Sequence, residues 1–593
     1  MEQPQTTETS PTETSLSESS PNESAPTAGV GRWLLLAFVG LLVAHRVPLL
    51  LGRGFDVDEL QHLHGAFSIH RGLTPHVDYF EHHSSWFAWM LSGLIEAGGA
   101  SWTTIMLARG LMALFAVAGL LCTHALARRL GGGWLPAFAV TLHATTLLFV
   151  EKSLEVRPDV PASALWTLAA VLAVDGLRSG HRRAFAGAGM ALGVGLLFTF
   201  KLAFGAIGLG LAVLLTQARA GGWRGVRAGL PDLLTLVGWS AFPVALLFLS
   251  LAQQGQLDAF MQDVVLGPLE WSRELDPREY LAAFLLGNPL LLGFGAVGML
   301  ELLRATAAGG ERVPAASLIV LASGTILFGW FTIPVPWPQF LMPLWPLLAC
   351  AAAVPLVGLA EPSGRAALAR CGGALAVVAG AAMLLPISRS ELLEPLAAAA
   401  AAAALGLAAG RARGPLSLLV AAAGAGASVA VMVQLHPGTD LGTGLVAAGA
   451  LCLLAAAAAA EPGQGRAAAG VAALAFFPLT EVARMAEERP VDGFRAQFDF
   501  VDGTLGPDDA VLTGWTGCAV FQPHAYRYFF LHRGMLRMLD DEAKGADVLR
   551  VLEADPPAAV IRDAGTRGLG EGVQAFIDAR YEPSGVGDVW LAR

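Results

Sequence analysis

Charge is what this sequence has least of. Asp, Glu, Lys and Arg make up 15% of its 593 residues, while 54% of residues are hydrophobic. Soluble domains carry about 25% charged residues, so a fully water-facing surface is excluded and much of the chain is expected to face lipid. Cysteine is also scarce. Cys122, Cys350, Cys371, Cys452 and Cys518 are scattered without a CxxC pair, and four lie in or beside apolar runs. That excludes a disulfide framework and a zinc ribbon. A positive balance is absent, the net charge being -10, so nucleic acid is not an expected partner. Residues 1–30 lack a basic start and an apolar core. Rich in Ser, Thr, Glu and Pro, they read as a disordered acidic tail rather than a signal peptide. The apolar run 33–51 has no small-residue cleavage site after it and reads as a retained transmembrane helix.

What the sequence does have is a series of apolar runs of roughly 20 residues, the length that crosses a bilayer. They lie near 33–51, 102–127, 134–150, 160–178, 185–200, 203–217, 232–252, 280–303, 316–333, 339–359, 372–388, 395–410, 416–434, 443–460 and 468–485. The expectation is a polytopic α-helical membrane protein with about 13–15 transmembrane helices. The Ala-rich stretch 397–460 sets the spread of that count, because alanine is only marginally apolar.

Arginines mark every second loop: Arg128 and Arg129; Arg178, Arg182 and Arg183; Arg219, Arg224 and Arg227; Arg304 and Arg312; Arg365 and Arg370; Arg411 and Arg413; Arg466. By the positive-inside rule these loops are cytoplasmic, and the N-terminal tail with them. The other loops, 52–101, 151–159, the turn at Lys201, 253–279, 332–338, 389–394 and 435–442, are then outside. An odd number of spans places residues 486–593 outside too. There, Ala510–Trp515 and Ala558–Asp563 look like short strands, and Asp541–Asp555 has helical spacing with Val548, Leu549 and Leu552 on one face. A small α/β extracytoplasmic domain is expected.

The first outer loop, Gly54–Leu91, concentrates Asp56, Asp58, Glu59, Asp78 and Glu81 with His62, His64, His70, His76, His82 and His83. Ionisable groups beside a membrane segment are costly unless they face water or perform a function. An ordinary solvated loop is the plain alternative. Against it, Leu60, Leu63 and Phe67 are spaced as on a helix lying along the interface, and Trp86, Phe87, Trp89 and Met90 form a second apolar stretch suited to the headgroup zone. The second outer loop sets Glu155, Arg157 and Asp159 at a membrane boundary between prolines. Asp159 there has the alternative role of a helix cap. Lys201 is a lone cation between two apolar runs, or alternatively a snorkelling lysine.

These segments, in this order, resemble the GT-C membrane glycosyltransferases, on the branch of the protein O-mannosyltransferases and aminoarabinose transferases. "DVDE" (Asp56–Glu59) follows the first span. "PHVDYFEHHSS" (Pro75–Ser85) resembles the family stretch P-Y-x-D-x-x-x-H-x-P. "EVRPD" (Glu155–Asp159) follows the third span, "FTFKLA" (Phe198–Ala203) lies near the fifth, and "PVPWPQFLMPLWP" (Pro334–Pro346) resembles YPHYxLPxLP. The resemblance covers roughly residues 33–360. Ser84 and Ser85 stand where the family has proline after the His pair, and Trp337 stands where it has tyrosine. The segment Gly514–His532 differs from the tail of the O-mannosyltransferases.

The resemblance implies a GT-C-like catalytic membrane domain at 31–360; the apolar runs and local patterns add Ala-rich transmembrane helices at 361–485 and the α/β domain at 486–593. It implies an inverting transfer of a sugar from a polyprenyl-phosphate-linked donor to an envelope glycan, lipid or protein, with no cofactor required. Such chemistry needs a carboxylate base for the acceptor hydroxyl and a cation for the leaving phosphate. Asp58 is the expected base, with Glu59 and Asp159 as further catalytic candidates and Glu155 behind them. Arg157 and Lys201 are the candidates for the phosphate. His82 and His83 are candidates for binding acceptor hydroxyls. A divalent metal is the minor reading, with Asp58 and His62 at i, i+4 as its ligands. In the outer domain Trp515, His524, Tyr526 and Tyr528 either stack on sugar or fill the domain's own core. A bacterial plasma (inner) membrane is the expected location. The competing readings are a secondary transporter, which would place the acids in a central pathway, and a non-catalytic protein of envelope assembly. A polysaccharide polymerase or ligase, using a lipid diphosphate, is a near relative of the main reading.

Overall fold

A computed structural model describes residues 46–47, 49–270, 276–333, 336–359, 491–515, 517–531 and 541–593. The tail 1–30 and the spans expected at 361–485 lie outside the described residues.

The outer loop between the first two expected spans is helical twice over. Helix α1 (Val57–His70) begins at a capping box. The Asp56 carboxylate accepts from the backbone of the first turn while Glu59 Oε1 accepts from Asp56 N at 2.9 Å. Its buried face includes Leu60, Leu63 and Phe67. Helix α2 (Trp86–Gly98) buries Phe87 and Leu91 but leaves Trp86 and Trp89 exposed, as an interfacial helix does.

The membrane body follows: α3 (Trp102–Leu130), α4 (Leu135–Thr145), the short α5 (Leu147–Lys152), α6 (Asp159–Ser179), α7 (Arg182–Phe198) and α8 (Leu202–Gln253), then α9 (Pro277–Gly287), α10 (Pro289–Ala308), α11 (Val313–Thr332) and α12 (Trp345–Leu359). Six segments among the described residues are long and apolar enough to cross a membrane. Helix α8 turns back on itself at Gly221 and Gly222 and so forms two limbs; Gly222, at φ 56° and ψ -139°, takes a conformation open to glycine. The arginines expected in a loop at 219–227 therefore sit on helical limbs, with a two-residue turn between them. The expected single span 280–303 is divided at Asn288, whose side-chain oxygen accepts from Leu147 N. Leu114 and Leu121 on α3 and Leu234, Phe242 and Leu249 on α8 point outward, an apolar belt that only lipid leaves unpenalised. Inside, Gly208 of α8 lies so close to Ala322 of α11 that a Cβ would come within 2.4 Å of the Ala322 Cα.

The two ends of the helical body differ in chemistry. At one end Arg129 pairs with Asp175, Arg178 donates to the Glu311 carbonyl, and Arg219 to that of Ala307. At the other end lie α1, α2 and the loop before α6.

The C-terminal segment opens with α13 (Val491–Thr504), whose Phe494 and Phe498 pack on Phe55 and Trp102. Strands β1 (Val511–Thr513) and β2 (Ala559–Ile561) fall where the sequence placed them, as does α14 (Asp541–Ala554). Helix α15 (Glu571–Arg580) and a hairpin of β3 (Tyr581–Pro583) and β4 (Val589–Ala592) complete a sheet of order β1-β2-β4-β3. Only β1 and β2 are parallel, with Leu512 opposite Val560. Val548 and Leu552 from α14 and Val573 and Ile577 from α15 cover the sheet. The domain sits on the first outer loop: Phe80 N donates to the Arg527 carbonyl at 3.2 Å, and Tyr79 and Phe80 share a buried cluster with Phe529 and Phe530.

Candidate active site

The loop "EVRPD" delivers Arg157 into the gap between α1 and α6. Its guanidinium, buried to 4% exposure, meets Asp58 Oδ2 at 2.6 Å, Glu155 Oε2 at 2.9 Å, Asp56 Oδ1 at 3.4 Å and Asp159 Oδ2 at 3.9 Å. Burial opposes its charge, but these carboxylates, Asp58 foremost, hold its pKa well above the usual range. Four of the expected site residues are thus one cluster. Asp159 is the first residue of α6, and the cap position belongs to Pro158, so the capping role is not taken; the carboxylate faces Arg157.

Glu155 is fully buried and accepts from Arg53 at 2.9 Å, Lys152 at 3.1 Å and Arg157. Burial raises its pKa, but the cations Lys152, Arg157 and Arg53 pull it down to about 2. Asp56 goes the other way: burial, then the Glu155 charge, lift it to about 6. Asp58 is the most open of these acids, its side chain 28% exposed.

Glu59 faces away from water. Its carboxylate takes a two-bond fork from Arg109 and a further bond from Val156 N at 3.2 Å. With Asp56 N as well, its acceptor sites are filled, and its part is to lock α1 against α3 and the "EVRPD" loop.

Lys201 lies at the start of α8 on the same end. Its Nζ stands 3.0 Å from the centre of the Phe340 ring, and among the described residues it has no carboxylate within ion-pair distance. Burial lowers its pKa to about 8, with Asp159 and Asp58 opposing that shift and Arg157 adding to it. Beside it is a small apolar hollow lined by Leu202, Phe204, Ile326, Trp330, Phe340 and Pro343.

His82 and His83 belong to a second cluster. His83 Nδ1 is 3.0 Å from Glu81 Oε1, and the His62 ring lies 4.7 Å from that of His83. Asp58, expected beside His62, turns to Arg157, and His62 lies in a group with Glu81 and His83. In the outer domain Tyr526 donates to Asp547 at 2.7 Å, His524 Nδ1 lies 2.6 Å from the Tyr526 carbonyl, and Tyr528 packs on Phe80. These rings are engaged within the domain and its seat.

Sequence reasoning left Arg53, Asp56, Arg109 and Lys152 out of the site. Arg109 had a signal: one cation inside a long apolar run is unusual and asks for a partner. Asp56 is assigned by its neighbours alone, since nothing in "DVDE" says which acid will be buried.

A sequence profile described as dolichyl-phosphate-mannose-protein mannosyltransferase matches residues 82–248. No curated protein matches the chain by sequence. Among solved structures, ArnT from Cupriavidus metallidurans bound to undecaprenyl phosphate aligns at 16% identity with a TM-score of 0.53, covering 92% of this chain and 91% of that one. The apo form of the same protein aligns at 14% identity and a TM-score of 0.55, over 92% and 94%. At these identities the likeness is one of fold.

Proposed function

We propose that this chain is a membrane glycosyltransferase of the GT-C superfamily, on the O-mannosyltransferase and ArnT branch that the profile match and the shared fold support, and that it moves a sugar from a polyprenyl-phosphate-linked donor to a hydroxyl of an envelope acceptor. The acceptor oxygen attacks the anomeric carbon as the bond from that carbon to the phosphate oxygen breaks, which inverts the centre. The acceptor proton passes to Asp58, the open acid of the cluster. The polyprenyl phosphate leaves with its new charge beside Lys201. Asp159 and Glu155 hold Arg157, and Arg157 aims Asp58. His82 and His83, on the neighbouring cluster, are placed to meet acceptor hydroxyls.

The observation that carries this reading is Lys201. Every buried cation around Arg157 already has a carboxylate, whereas Lys201 rests on an aromatic face at the mouth of an apolar hollow. A desolvated ammonium without an anion is costly, and a lipid phosphate would supply the anion. We also infer that the arginine-marked end is cytoplasmic, which puts the acids and the C-terminal domain on the outer face of the plasma membrane. No sodium-coupled or proton-coupled pathway is needed, since the acids lie at one end of the helical body.

Purified chain supplied with polyprenyl-phosphate sugars and an envelope extract should release polyprenyl phosphate and yield a product of inverted anomeric configuration. Retention of configuration, or no release with any donor and acceptor pool, would contradict the proposal.

A further inference from the structure

The hairpin inside α8 has no part in the site described above. Its first limb rises about 30 Å from Lys201 to Ala220. The turn at Gly221 and Gly222 therefore lies at the arginine-marked end of the helical body, a membrane's width from the acids. The second limb starts at Trp223 and has two unlike faces. Gly225 and Gly229 press on the first limb, where a Cβ on either would run into Gln217. Farther along the same side, Asp232 pairs with Arg182 of α7 at 3.6 Å, and Leu236 is buried. The opposite side carries Trp223, Arg227, Leu230, Leu234 and Val237, at helical spacing i, i+4, i+7, i+11 and i+14. All five are exposed, Trp223 to 67%.

Leu230, Leu234 and Val237 belong to the outward belt that faces lipid. Trp223 and Arg227 close its end. The Arg227 guanidinium lies 5.5 Å from the centre of the Trp223 ring, and tryptophan at the end of a lipid-facing stripe suits the headgroup zone. Arg224 flanks them and is exposed. Among the described residues neither Arg224 nor Arg227 has a carboxylate within ion-pair distance, and the first acid along this limb, Asp232, faces inward to Arg182. The direction of Arg227 is the informative point. An arginine at a helix end that faces water needs no partner, but this one shares its side with leucines that run on into lipid. Its stem can lie along hydrocarbon, and its charge finds an anion among the headgroups.

We propose that Trp223, Arg224 and Arg227 form a docking surface for an anionic phospholipid of the adjoining leaflet. The lipid phosphate accepts hydrogen bonds from the two guanidinium groups, and an acyl chain lies along Leu230, Leu234 and Val237. A zwitterionic lipid brings its own cation beside the phosphate, so headgroups of net negative charge are preferred. The bound lipid braces the hairpin against the bilayer. The inference uses no residue of the transfer site and stands apart from the reaction.

The test uses the full chain in detergent, stripped of lipid and titrated with phosphatidylglycerol or phosphatidylcholine, with binding read by native mass spectrometry. Each arginine beside an anionic surface contributes roughly fivefold. Phosphatidylglycerol should therefore bind about 20-fold more tightly than phosphatidylcholine. The double variant Arg224→Gln, Arg227→Gln should lose that margin, and Arg224→Lys, Arg227→Lys should keep most of it. Hydrogen exchange of the wild-type chain should slow across 217–232 when phosphatidylglycerol is added, and inorganic phosphate at the same concentration should not displace the lipid. Equal affinity of the wild type for the two lipids, slowed exchange confined to other segments, or displacement by inorganic phosphate would overturn the proposal. So would wild-type affinity in the glutamine variant at native elution volume. The lipid preference and the exchange pattern are read on the wild-type chain, so they decide the matter even when a variant does not fold.

Discussion

The carboxylate of Glu59 and the guanidinium of Arg109 meet in a two-bond fork, Nε to Oε2 at 2.8 Å and Nη2 to Oε1 at 2.7 Å, with neither side chain more than 1% exposed. The same guanidinium donates to the carbonyls of Leu50, Arg53 and Gly54. One arginine from a membrane helix therefore ties down the chain just before α1 and the first turn of α1 itself. Asp58, next in sequence, owes its placement to that anchor. Removing one partner leaves a buried charge without compensation, which costs about 3–5 kcal/mol. Glu59→Gln and Arg109→Leu should both lower the melting temperature in detergent. Melting unchanged from wild type would mean that the fork does not anchor α1.

Lys201 separates donor binding from the chemical step. A hydrogen bond to a charged group contributes about 1.5–3 kcal/mol, so Lys201→Met should raise the donor KM by about 10- to 100-fold and Lys201→Arg should restore part of it. The pKa near 8 gives the pH sign. The ammonium must be protonated to meet phosphate, so kcat/KM for donor should fall as pH rises above about 8, and Lys201→Arg should remove that alkaline limb. Steady-state assays across the pH range with varied donor check both statements.

Asp56 makes a stability prediction. Its carboxyl is lifted to about 6 in the fold by burial and by Glu155, above the value of about 3.9 in an unfolded chain. Between those values the folded state binds the extra proton, so this group's contribution falls as pH rises through the window. Asn keeps the helix cap and removes the charge. Asp56→Asn should thus match wild type in stability near pH 3.5, below both values, and exceed it at pH 7.5, by no more than about 3 kcal/mol; melting temperatures read the difference. A lower melting temperature at pH 7.5 would show that its contacts to Arg157 and Lys152 outweigh the burial of its charge.

Most of the membrane helices were legible because a bilayer imposes a length: the runs at 102–127 and 160–178 became α3 and α6 with shifts of a few residues. The hairpin in α8 was less so. Arg219, Arg224 and Arg227 marked a turn correctly, but charge does not tell a loop from the ends of two helices, and the turn itself is the pair Gly221 and Gly222. In the site, Asp58, Glu155, Arg157 and Asp159 were readable as ionisable groups at a membrane edge. Their convergence on one guanidinium depends on two loops about 100 residues apart meeting in space. The same limit applies to His62: helical spacing puts it on one face with Asp58, whereas the fold turns Asp58 to Arg157 and brings Glu81 and His83 beside His62 from another segment.

The most direct test is the transfer rate of Asp58→Asn beside wild type, with the donor KM and melting temperature measured on the same samples. A positioned base contributes about 10²–10⁴-fold. The account predicts a kcat at least about 100-fold lower, with donor KM and melting temperature near wild type. A variant that turns over at the wild-type rate would contradict it and move the base to another acid.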